Sequence, residues 1–252
     1  MKRLGSFSVA LPLLALGAAA CGDNNDPGVP VKYKTFVMMA DFEISASLNA
    51  DPRWNGTFLG SADTSVGGTT TVADEFSAGW EALSPPHMNT DTMKQSVGGF
   101  HAHDNGEHTY WGTAWYADLR SNMYAVDLSS FSGLTLWAKS DGVAGTPIKI
   151  GLSDLGSYPS PKDVPNMNNP VPVCDMLDSR PVGGLGCYDD YSAKIYPDGQ
   201  WRRFDLPFSS LTTGGWGLIH AFDPSKIYAI KFSMLALAKY DVWIDDIALY
   251  TR

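Results

Sequence analysis

No cluster of basic residues interrupts this 252-residue chain. Its 18 lysines and arginines stand against 27 acidic residues, for a net charge of −9, so nucleic acid is not an expected partner. There is no long amphipathic helical pattern and no internal repeat. No serine sits in a nucleophile elbow, and cysteine is limited to Cys21, Cys174 and Cys187. Glycoside hydrolysis needs two carboxyls facing each other across about 5–9.5 Å. The adjacent pairs Asp189-Asp190 and Asp245-Asp246 diverge if extended, because successive side chains of a strand point to opposite faces. What the chain does have is 44% hydrophobic and 12% aromatic residues. That is enough for one sizeable core, at a length of about 200–250 residues that all-β sandwiches commonly fill as a single domain.

Residues 1–20 read as a signal peptide: Lys2 and Arg3, then an apolar run from Leu4 to Ala20 that ends in small residues. The run is too short and too alanine-rich for a membrane span. Cys21 follows directly, and the segment resembles a bacterial lipoprotein signal in which the cysteine becomes the lipidated first residue. Ala18 stands where such signals usually carry leucine; the alternative is ordinary Ala-x-Ala cleavage leaving a free Cys21. Cleavage removes Lys2 and Arg3 and moves the net charge to −11. Residues 21–32, rich in Gly, Asp, Asn and Pro, form a polar tether, and 33–252 the folded domain. The expectation is an exported protein of the bacterial cell envelope, in contact with the membrane only through an N-terminal lipid. With Cys21 lipidated, Cys174 and Cys187 are left to form a disulfide, which suits an oxidising compartment. Closing a loop of about 15 residues stabilises by roughly 3 kcal/mol through loss of unfolded-state entropy.

From Tyr33 onward the pattern is that of strands. Residues 34–39 lead into Asp41 and Glu43, which share a face at a spacing of two. Arg53 to Leu59 reads as a second strand, and 69–92, with Pro85-Pro86, as irregular. Val97–His103 and His108–Leu119 read as two arms of a hairpin about Asp104-Asn105-Gly106. Leu134–Lys139 and Ile148–Asp154 alternate as half-buried strands do. Residues 155–193 form a long Pro-, Asn- and Gly-rich loop, a length that is usually functional. Gln200–Leu206, Lys226–Phe232 and Lys239–Tyr250 complete the set. In the last, alternation keeps Asp245 and Asp246 off a common face, and the one beside the core needs a cation or hydrogen-bond donors. First and last strands often adjoin in a sandwich, which brings the two acidic spots together. The fold class is all-β, an antiparallel β-sandwich or jelly roll.

The order of short motifs carries a resemblance: DFE at 41–43, RWNGTF at 53–58, GGFHAH at 98–103, WGTAW at 111–115, DLSSFSGLTLWAK at 127–139, WRRFDLPF at 201–208 and WIDDI at 243–247. Over about residues 36–250 this resembles the galactose-binding-like jelly rolls, specifically the carbohydrate-binding modules of family 11 and their relatives. The related domain of the complex I intermediate-associated proteins has a similar pattern. The resemblance implies a β-glucan-type ligand lying across one sheet and a structural calcium between the termini. The long loop around Cys174 and Cys187 departs from the simplest members.

Asp41, Glu43 and Asp245 are the calcium candidates, since that ion takes six to eight hard oxygens; solvated strand-end carboxylates are the plain alternative. His101, His103 and His108, with Asp104 and Glu107, match no known metal-ligand spacing, and sugar hydrogen bonding suits the two strand histidines better. Parity places Phe100, Ala102, Trp115, Ala117, Leu119, Leu134, Leu136, Ile148, Ile150 and Leu152 inward. His101, His103, Tyr110, Tyr116, Asp118, Trp137, Lys149 and Ser153 then face outward, with Asp154 at the end of its strand. Rings edged by polar tips suit sugars, so these nine are the candidate polysaccharide contacts. The alternatives are a glycan-cleaving enzyme drawing on loop carboxylates such as Asp175, Asp178 or Asp190, and a protein-interaction sandwich of the assembly-factor kind.

Overall fold

The computed structural model describes residues 35–49, 51, 53–62, 77–89, 94–106, 108, 110–142, 145–159, 161, 174–175 and 186–252. The leader, Cys21 and the tether expected at residues 1–32 lie outside the described residues, as do Glu107 and Asp178. In chain order the strands are β1 (Thr35–Ala40), β2 (Leu59–Ala62), β3 (Ser77–Asn89), β4 (Lys94–Asn105), β5 (Thr113–Asp118), β6 (Gly133–Ser140), β7 (Ile148–Asp154), β8 (Tyr191–Ile195), β9 (Arg202–Pro207), β10 (Ile227–Met234) and β11 (Lys239–Thr251). Among the described residues no helix is long and apolar enough to cross a membrane.

The strands form an antiparallel jelly-roll sandwich of two sheets. The first runs β3-β4-β11-β6-β9, with β1 added to the C-terminal half of β11; the second runs β2-β5-β10-β7-β8. First and last strands do adjoin, with Thr35 opposite Thr251 and Phe36 opposite Tyr250. β11 is the axis of the first sheet: β4 pairs with its first half, β1 with its second, and β6 spans the other side.

The inward parity holds. Phe100, Trp115, Ala117, Leu119, Leu134, Leu136, Ile148, Ile150 and Leu152 all lie in the buried core between the sheets. At its centre Trp115 stacks on Phe232, ring centroids 5.7 Å apart, and on Phe100 at 5.8 Å. Phe58 meets Phe42 and Phe100 at 5.5 Å.

Three local expectations fail. β4 and β5 are not a hairpin: β4 pairs with β3 and β11, while β5 pairs with β2 and β10. Gly106, at φ +89, does make a turn, its amide bonded to Asp104 Oδ1 at 2.6 Å. The chain then crosses to the other sheet through Gly112, at φ +92, where a Cβ would sit 2.3 Å from the Met234 carbonyl oxygen. Residues 77–89 are not irregular but form β3. Among the described strands it pairs with β4 alone, and the pairing register shifts between Ala82 and His87, around Pro85-Pro86. An edge strand accepts proline because the missing N–H faces no partner. Residues 53–58 make only isolated bridges, at Trp54 and Thr57; the strand proper is β2.

Candidate functional site

On the outer face of the second sheet the described residues around Tyr158 and Tyr188 pack against β5, β7 and β10, and tyrosines gather there. Tyr116 on β5 is 37% exposed and Tyr188 is 45% exposed. Tyr158 donates to Asp118 at 2.8 Å and stacks on Tyr228 at 4.8 Å. Burial raises the Asp118 pKa, opposed by that hydrogen bond, and burial and Asp118 together push the Tyr158 phenol up. Asp190 accepts from Ser153 at 2.6 Å and pairs with Lys231 at 3.3 Å. Lys231 also lies 5.2 Å from the Tyr188 ring centre. Burial lowers the pKa of nearby Lys149, against the pull of Asp190. Rings, two lysines and two carboxylates thus line one face.

Two devices hold Tyr188 in place. The disulfide Cys174–Cys187 (Cα–Cα 4.9 Å) fixes the residue before it, closing a separation of 13 residues, and the Tyr188 amide donates to the Ser157 carbonyl at 2.8 Å. Tyr188 sits at φ +73. A left-handed conformation at a bulky residue is strained and needs such support. Beside it, Asp189 accepts amide bonds from Gly214, Trp216 and Gly217 at 2.6, 2.9 and 3.0 Å; the Trp216 side chain is 38% exposed.

Of the nine candidate contacts, Tyr116, Asp118, Lys149 and Ser153 are on this face. Asp154 is not a surface group: it is fully buried and binds His220 Nε2 at 2.7 Å, the Gly156 amide at 3.1 Å, Ser157 Oγ at 3.4 Å and the Asp223 amide at 3.2 Å. Asp154 has the parity of the inward Ile148, Ile150 and Leu152, so its burial follows the alternation of β7. Tyr110, 75% exposed, is on the crossing between the sheets. His101, His103 and Trp137 belong to the outer face of the first sheet, on the far side of the sandwich. Parity told inward from outward but not one sheet from the other.

On that far face His101 lies flat on Trp243 (4.0 Å, 6°) between Glu81 at 3.0 Å and Asp241 at 2.8 Å. His103 is beside it, ring centroids 5.2 Å apart. His108 is elsewhere: it is buried against Asp104 at 2.8 Å, so the three histidines do not form one site. Further along, His87 stacks on Trp201 at 4.5 Å and meets Trp137 at 4.9 Å.

Here β11 overturns the expectation for its two carboxylates. The core positions run Tyr240, Val242, Ile244, then Ile247 and Leu249, so alternation skips a residue. The pairing with β6 is broken between Asp245 and Ala248, and Asp246 takes φ +49. This β-bulge brings Asp245 and Asp246 together with His87, their ligand atoms all within 4.8 Å of one another. Burial, then the Asp246 charge, pushes the Asp245 pKa up to about 9; burial alone pulls His87 down to about 4. These three residues are a group able to hold a metal ion. Asp41 is not part of it: its carboxylate faces the Glu43 amide at 3.5 Å. Glu43 is close enough to raise the Asp245 pKa, but its Oε2 accepts from the Val97 amide at 3.1 Å. Calcium takes six to eight oxygens, and among the described residues one of these three donors is an imidazole. His87 was missed because Pro85-Pro86 masked β3, although the parity slip from Ile244 to Ile247 was open to view.

No protein-family model and no curated protein matches the chain. Solved structures similar to it include the family 11 carbohydrate-binding module of the cellulosomal cellulase Lic26A-Cel5E of Clostridium thermocellum, at 15% identity and TM-score 0.47, covering 86% of this chain and 95% of that one. A family 30 carbohydrate-binding module of the same organism is similar at 16% identity and TM-score 0.44, covering 83% and 98%. An exo-β-agarase is similar at 14% identity and TM-score 0.47, covering 86% of this chain and 25% of that one.

Proposed function

We propose that this protein binds polysaccharide of the β-glucan type, without cleaving it, on the outer face of the second sheet. The observation that carries this reading is the half-open face of Tyr116 and Tyr188, edged by Lys231, Asp190, Lys149 and Asp118. Tyrosine presents a flat apolar body and a polar tip, which suits the face and rim of a sugar ring. The motif order supplies the glycan class. The carboxylates on the face already hold Tyr158, Ser153 and Lys231, an arrangement that positions rings rather than one that supplies a free acid and base. In the resembled family the structural ion is calcium, with Asp245 in the place of its last-strand ligand.

Tyr116→Ala is expected to weaken retardation on a mixed-linkage β-glucan affinity gel at least tenfold, or by about 2 kcal/mol for a central ring. Normal retardation in that variant would place the glycan elsewhere. Release of reducing ends by the unchanged protein would make it an enzyme. The same reading tethers the protein to the cell envelope through lipid on Cys21. Cys21→Ser is expected to move it from the membrane pellet to the soluble fraction, and unchanged sedimentation would remove the anchor from the proposal.

A further inference from the structure

Behind the β11 bulge lies a set of donors that the glycan face does not use. Among the described residues His87 Nε2 and Asp245 Oδ2 are both buried with no hydrogen-bond partner, although Ser96 lies close enough to Asp245 to lower its pKa. The side chains of His87, Asp245 and Asp246 are 2%, 0% and 7% exposed. Nε2 stands 4.0 Å from Asp245 Oδ2 and 3.8 Å from Asp246 Oδ2, beyond hydrogen-bond reach but spanned by a single ion. Other histidines of this chain do close on carboxylates: His101 on Asp241 at 2.8 Å, His108 on Asp104 at 2.8 Å, His220 on Asp154 at 2.7 Å. A gap between His87 Nε2 and Asp245 Oδ2, both buried and of complementary chemistry, is the space of a ligand. The Asp245 carboxylate, fully buried beside a second acidic residue, gains from a positive charge.

We propose that His87, Asp245 and Asp246 bind a divalent transition-metal ion of the zinc class, held structurally between β3 and the β11 bulge. The spacing admits either a zinc-sized or a calcium-sized ion, so donor chemistry decides. An imidazole nitrogen suits zinc, copper, iron or nickel, whereas calcium and magnesium take oxygen. Zinc is content with four ligands; calcium would need several more oxygens in a site closed to solvent. The nearest described oxygens carry hydrogen bonds of their own: Asp245 Oδ1 accepts the Asp246 amide at 2.8 Å, Ser96 Oγ donates to the Gly98 carbonyl at 3.0 Å, and Glu43 Oε2 accepts from the Val97 amide. The wall is apolar, made by the Trp137 and Trp201 rings against His87. That surrounding favours a small closed shell. The inference stands whether or not the tyrosine face binds glycan.

The test uses the full chain and reads melting temperature and colour without any glycan. Stripping with a strong chelator is expected to lower the melting temperature. Zinc at about a hundredfold over its dissociation constant restores it by roughly 5–10 °C, and calcium at millimolar concentration does not. Cobalt(II), standing in for zinc, is expected to give visible d–d absorption that His87→Gln abolishes. Asp245→Asn, which relieves the charge of the pair, is expected to melt no lower than the stripped protein and to ignore zinc. Restoration by calcium and not zinc would overturn the assignment in favour of calcium. A melting temperature indifferent to chelator and to every ion would mean that the two carboxylates share a proton and that there is no metal site.

Discussion

Trp115→Ala is expected to lose about 3–5 kcal/mol of stability, and with it the glycan retardation. Its neighbour in sequence, Tyr116→Ala, is expected to lose the retardation while melting within a degree or two of the unchanged protein. The two side chains leave β5 on opposite faces. Trp115 is 1% exposed, stacked between Phe232 and Phe100, and its removal opens a void in the layer that joins the sheets. Tyr116 is 37% exposed and supports no core contact. Among the described residues the Trp115 indole N–H has no partner, so Trp115→Phe, which keeps a ring and deletes that donor, is expected to recover most of the loss. Urea unfolding curves and affinity gels on the three variants check this. Equal melting of Trp115→Ala and the unchanged protein would mean that the aromatic layer does not hold the sandwich together.

Asp154→Ala is expected to cost about 3–5 kcal/mol, the range for breaking one side of a buried charged pair. The carboxylate gathers the end of β7, the Gly156 amide, the Asp223 amide and His220, and its loss strands those donors. The pair also predicts a pH dependence. The Asp154 hydrogen bond, against burial, raises the His220 pKa above the ordinary 6.5. A histidine with a raised folded pKa stabilises fully below its unfolded value and loses that contribution as pH rises through the folded one. The difference in unfolding free energy between the unchanged protein and His220→Gln is therefore expected to be largest below about pH 6 and to shrink toward alkaline pH. A difference that grows with pH would show the ring to be neutral in the fold.

Much of this architecture was readable from residue order. The alternation in β5, β6 and β7 gave the inward face of each strand correctly, because one-sided burial fixes side-chain period. The disulfide followed from cysteine arithmetic. The hairpin and the single groove failed for one cause: sheet membership is set by pairing across long stretches of chain, and no local pattern records it. A good turn at Gly106 suggested a hairpin, yet the two strands it separates lie in different sheets. The same blindness merged His101, His103 and Trp137 with Tyr116 into one groove, though the sandwich core separates them. Asp245 was singled out, but its partners came from a bulge and from a proline-bearing edge strand, both departures from the regular patterns on which a reading of sequence relies.

The place of β11 bears on how fast this protein reaches its native state. The strand that pairs with β1, β4 and β6 follows all three in the chain, and its pairing joins Thr35 to Thr251. Until residues 239–251 are available, three strands of the first sheet lack their neighbour and keep open edges. Loop closure over so many residues is entropically demanding, and folds dominated by such distant pairings take milliseconds to seconds rather than microseconds. A slow assembly of this kind leaves a newly made chain unfolded for a time, with exposed edges prone to pair with other chains. Fragments ending before Lys239 should therefore aggregate rather than form a smaller sandwich.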